Sequence, residues 1–132
     1  MWREYFLNNI DAIEVGLKAP QNKMIYFLAE FIGEAENGGV EQYLFNESGN
    51  NFIQLYKLVI ELEMLANKNM LSDIKERLDL NEKHEERGAR LKHLNILESK
   101  SGCDIYDALE NEFAEKQHFL EVEFSNYIKT IT

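Results

Sequence analysis

Apolar residues recur at threes and fours along almost the whole chain, the spacing of helices that each bury one face. Trp2, Tyr5, Phe6, Ile10, Ile13 and Leu17 form the first stripe, with Glu4, Asn8, Asp11 and Lys18 opposite it. Pro20 suits a first helical turn, where its missing N–H is no loss, and Met24, Ile25, Leu28, Phe31, Ile32 and Ala35 carry a second stripe. Asn37-Gly38-Gly39 is expected to end that helix, because glycine can adopt the left-handed backbone that closes one. Residues 40–45 then read as one further helical turn and residues 46–50 as a reversal.

The run over residues 52–65 is apolar on nearly every side, relieved at Gln54, Lys57 and Glu61, which predicts one helix at the centre of the molecule. Met70, Leu71, Ile74 and Leu78 mark another, with Lys75 and Asp79 spaced to pair on its wet face. Residues 82–88 contain no apolar side chain and predict a solvated loop, or the exposed start of a helix whose buried part begins at Ala89, Leu91, Leu94 and Leu97. In the last segment Ile105, Leu109, Phe113, Leu120, Phe124, Tyr127 and Ile131 share one side of a single cylinder. One long helix or two aligned ones would satisfy that pattern. Asp104 and Asp107 have the spacing of a capping pair, and Cys103 stands where a hydrophobic staple would. With no strand alternation and no internal repeat, the expectation is a single all-α domain over residues 1–132, a bundle of six or seven helices.

Charge narrows the function. Twenty-four acidic against fourteen basic side chains give a net charge of −10, which disfavours direct binding to nucleic acid or to an anionic membrane. One cysteine cannot build a disulfide framework, and no apolar run resembles a signal or a membrane span, so a cytoplasmic protein is expected. The acidity is uneven: residues 1–66 carry −6, residues 67–97 carry +1 and residues 98–132 carry −5.

Motifs for catalysis are thin. Glu115 and His118 have the Glu-x-x-His spacing of di-iron bundles, but a second copy is missing, because Asn81 and Arg90 precede His84 and His93 where a carboxylate is needed. On one helix His84 and His93 would face about half a revolution apart, which reads as two surface histidines. Cys103 lacks any local nucleophile signature. Gly38-Gly39 and Gly49 lack the lysine and preceding strand of a phosphate loop, and Glu34, Glu36, Glu41 and Glu47 around them would repel a phosphate. The expectation is therefore a non-enzymatic protein without metal or cofactor. Its surface acids, Asp104, Asp107, Glu110, Glu112 and Glu115 among them, avoid the apolar stripe, as they would on any solubilising surface.

Residues 37–49, Asn37-Gly38-Gly39-Val40-Glu41-Gln42-Tyr43-Leu44-Phe45-Asn46-Glu47-Ser48-Gly49, resemble the signature of the bacterial DNA-mimic protein family. In that family an Asn-Gly-Gly turn leads into an aromatic-rich turn and an Asn-x-Ser-Gly exit. The flanking helices and the closing acidic segment are similar as well, while Val40 and Leu44 depart from the aromatic pattern. The resemblance implies an all-helical protein that occupies the DNA-binding face of a transcription regulator; Asn37, Gly38, Gly39, Gln42, Tyr43, Asn46, Ser48 and Gly49 would then be mainly structural.

Charge density tests that implication. Duplex DNA presents one charge per about 1.7 Å of axis. Residues 104–123 hold seven acids and Lys116, one net charge per about 5 Å of helix. Such a helix is too dilute alone, so a mimic face requires Glu34, Glu36, Glu41 and Glu47 to converge on it and meet a basic DNA-binding partner. Two alternatives use the same residues: an immunity-type inhibitor capping a basic nuclease toxin, and a small enzyme with a pocket beside residues 37–49 using Tyr43, Asn46 or Ser48.

Overall fold

The computed structural model describes residues 1–102 and 104–132. Six α-helices follow one another: α1 (Trp2–Val15), α2 (Pro20–Phe45), α3 (Phe52–Glu61), α4 (Leu65–Arg77), α5 (Arg87–Ser101) and α6 (Asp104–Ile131). Single 3-10 turns occupy Glu47–Asn51 and Glu82–His84, and the described residues contain no strand. The all-α expectation holds, and the last stripe forms one unbroken helix of 28 residues.

The central element is α2, not α3. It packs on α1, α3, α5 and α6, and buries Met24, Ile25, Leu28, Phe31, Ile32, Tyr43 and Leu44 almost completely. Phe31 meets the edge of Tyr43 at 5.1 Å and tilts against Phe113 of α6 at 5.8 Å. By contrast α3 buries Phe52, Ile53, Leu55 and Val59 but leaves Ile60 exposed. An apolar run signals low solubility of a segment, whereas centrality depends on how many neighbours surround it.

Two helix ends differ from the sequence expectation. Gly39 does not end α2: at φ 93° and ψ 166° it kinks the chain, and the helix resumes at Val40. The predicted helix over residues 52–65 stops at Glu61. There Met64 N–H donates to Val59 C=O at 2.8 Å and Glu63 N–H to Ile60 C=O at 3.1 Å, the paired bonds of a Schellman closure. Glu63 takes the left-handed position at φ 57°. The same closure ends α4, with Asp79 at φ 50° and Leu80 N–H donating to Lys75 C=O at 3.0 Å. Asp79 therefore lies beyond the helix, and Lys75 sets its ammonium 5.8 Å from the Tyr56 ring centre instead of pairing with it.

Candidate functional site

The motif segment is organised by Arg90, which is 1% exposed. Its guanidinium donates to the carbonyls of Leu44 (2.6 Å), Asn46 (2.9 Å), His84 (2.9 Å) and Glu85 (3.2 Å), and to Asn50 Oδ1 (2.9 Å). Carbonyls at the end of α2 carry the negative end of its dipole, so a cation can be buried there without a carboxylate. Gly49 is required beside it, because a Cβ would stand 2.9 Å from the Tyr43 carbonyl oxygen and 3.0 Å from Arg90 Cζ. Glu34 closes the turn from the other side, accepting from Asn46 Nδ2 at 2.7 Å and from the Ser48 hydroxyl.

The polar groups considered for a small enzyme beside this turn have structural partners here. Tyr43 is a core residue against Phe31 and Phe52, while Asn46 and Ser48 are bound to Glu34. Glu34 is accordingly bound within the turn. Val40 and Leu44, the departures from the aromatic pattern, are fully buried.

Where α2 lies along α6, carboxylates do converge. Glu110 Oε1 accepts from Val40 N–H at 2.5 Å, which satisfies a donor of the restarting helix. Any Cβ on Gly39 would collide with that carboxylate, and this contact together with the positive φ requires glycine. Glu41 stands within reach of Glu98, Glu110 and Asp107; burial, then repulsion from these three, raises its pKa. Further along, Glu36 accepts from Gln117 Nε2 at 3.0 Å and pairs with Arg3, which also reaches Glu121 at 3.2 Å. Glu98, Glu41, Asp107, Glu110, Glu36 and Glu121 thus form an acidic seam with Arg3 at one end.

The remaining expected face residues make none of these contacts. Glu112 lies on the opposite flank of α6, 3.1 Å from Lys116 and raised in pKa by burial and by Asp73. Glu47 is exposed at the 3-10 turn, and Asp104 and Glu115 are exposed on α6. Sequence reasoning missed Glu98 and Glu121 as seam members, although their charge was visible. Facing positions on α2 and α6 could not be matched without the fold.

His84 and His93 are not independent surface groups. Their half-buried rings stack at 4.0 Å. His84 Nδ1 accepts from Asn81 N–H at 3.0 Å, and burial, followed by the charge of His93, lowers its pKa. Cys103 lies outside the described residues. Among the described residues no group of three His, Cys, Asp or Glu could hold a metal ion, and no helix is long and apolar enough to cross a membrane.

Six helices around a kinked central one, with no strand among the described residues, make this a small all-α protein. Residues 18–131 match the family model described as DMP19-like protein, and the chain belongs to that family, the DNA-mimic family that residues 37–49 resemble. Comparison with curated proteins and with solved structures finds no match.

Proposed function

We propose that this chain is a non-enzymatic DNA mimic whose α2–α6 seam occupies the DNA-binding face of a transcription regulator. The carrying observation is the line of carboxylates along the seam. From Asp107 to Glu121 the α6 axis advances ~21 Å, and the six seam acids less Arg3 give one net charge per ~4 Å, denser than α6 alone but less than half the ~1.7 Å density of duplex DNA. Membership of the DMP19-like family supports the same reading. A net charge of −10 adds long-range attraction toward a basic partner, which should make association fast and salt-sensitive.

Affinity capture at low salt from the source cell's lysate tests this, comparing the wild-type chain with a Glu41→Gln, Glu98→Gln, Asp107→Asn variant. Glu110 is left intact because it caps the α2 restart. The expected result is a basic transcription regulator held by the wild type, released by added duplex DNA, and lost by the variant. Equal capture by both proteins, or a captured regulator that duplex DNA does not displace, would overturn the proposal. Capture of a basic nuclease instead would favour the immunity-type alternative.

A further inference from the structure

The connection between α4 and α5 depends on one ring nitrogen. His84 Nδ1 accepts from the Asn81 N–H at 3.0 Å while Asn81 Oδ1 accepts from the Lys83 N–H at 2.9 Å, so a reciprocal pair closes the 3-10 turn Glu82–His84. A backbone N–H can only donate, so Nδ1 must carry no proton and the neutral ring holds its hydrogen on Nε2. His93 is fixed the other way. The Leu78 carbonyl can only accept, so Nε2 donates to it at 2.8 Å and Nδ1 is left as the acceptor. Protonation of His93 therefore keeps its bond, whereas protonation of His84 sets two donors against each other.

The two rings stack at 4.0 Å, so a charge on either opposes a charge on the other. Burial, then His93 and Arg90 of α5 and Lys83 of the turn itself, hold the His84 pKa below the ordinary 6.5, with Asp79 beyond the end of α4 opposing them. Across the turn Lys57 of α3 pairs with Glu82 at 3.1 Å, and Lys75 of α4 bears on the same carboxylate. The turn also supports the motif segment. The His84 and Glu85 carbonyls are two of the five acceptors of the buried Arg90, the others being Leu44, Asn46 and Asn50.

We propose that His84 is an acid-operated latch: a proton from solvent on Nδ1 turns the acceptor of the Asn81 N–H into a donor, the turn opens, and Arg90 gives up the His84 and Glu85 carbonyls. Repulsion across the stack moves His84 rather than His93, which stays tied to Leu78. The response is local, because Arg90 keeps Leu44, Asn46 and Asn50. Acid thus loosens the α4–α5 connection and one side of the clamp on the end of α2. The open turn binds the proton more readily than the closed one, so closure is complete above pH 6.5 and is lost as pH falls below it through the lower value of the closed turn.

The full chain, labelled with nitrogen-15, would be followed from pH 7.5 to pH 5.5 by its histidine ring signals and by amide exchange corrected for the intrinsic effect of pH. Exposed His118 serves as the reference. His84 is expected to titrate below His118, and Asn81 N–H exchange to rise by up to about tenfold, the ratio reached one pH unit below 6.5. The Arg90 Nε signal should shift with the same midpoint. His84→Gln puts a non-titrating acceptor at the same position of the turn and should hold both readouts level, which separates the latch from Glu30, a carboxyl that titrates in the same range. Asn81 exchange that stays constant while His84 takes up its proton, a His84 midpoint at or above that of His118, or an equal rise in His84→Gln would overturn the proposal. Should the variant not fold, the wild-type titration decides alone.

Discussion

Arg90 and Glu30 are two partly or wholly buried charges with opposite solutions. Arg90 spends its donors on backbone carbonyls and Asn50, whereas Glu30 has the Asn51 amide and no basic neighbour among the groups acting on it. The consequence for Glu30 is a pH-dependent stability. Burial raises its folded pKa to about 7 from the ordinary 4.5, so the folded chain holds a proton that the unfolded chain releases. That stabilisation is complete below pH 4.5, is lost as pH rises toward 7, and changes little above it. Glu30→Gln keeps the acceptor for Asn51 and removes the ionisation. Urea denaturation should show equal stability at pH 4 and a gain of about 1 kcal/mol for the variant at pH 8, a figure discounted for the carboxyl's solvent-exposed part.

Helix ends show how local rules and packing compete. Glu63 and Asp79 hold left-handed positions that glycine usually fills, and both closures bury the residue that follows, Met64 and Leu80. Those buried contacts support the turn despite the strain of a Cβ at positive φ. Glu63→Gly should relieve that strain, raising stability by about 0.5–1 kcal/mol after the added freedom of the unfolded chain is counted. A denaturation midpoint that moves down instead would mean that the Glu63 side chain itself stabilises the α3–α4 turn. The Gly39 kink is the complementary case, since glycine there serves both the backbone angle and the approach of Glu110.

Across the whole molecule, the seam gathers like charges that come from segments distant in sequence. Repulsion among Glu41, Glu98, Glu110 and Asp107 opposes folding at neutral pH while concentrating negative potential on one surface. Glu41→Gln is therefore expected to raise stability by a few tenths of a kcal/mol at low ionic strength, a gain that fades at high salt as screening removes the repulsion. Thermal melts of both proteins across a salt series check this. A salt-independent difference would assign the effect to desolvation, the larger cause of the raised Glu41 pKa.

The apolar stripes alone located most of the helices, and the turn residues located the reversal at 46–50, because burial of one face imposes a periodicity readable within a single element. The residues of the motif were also legible as turn and core chemistry. The stop at Glu61 was not, since no glycine marks it and packing of Met64 supports it. Nothing in the sequence singled out Arg90 as an organiser of the turn, because the fold brings it to Leu44 and Asn46, 46 and 44 residues earlier. Composition likewise determined how much negative charge the chain carries, but only tertiary packing separated Glu36 from Glu34, set Glu112 on the far flank of α6, and brought Glu30 against Asn51. Charge count is a property of residues taken singly, whereas charge placement and pKa depend on neighbours that the chain supplies from distant positions.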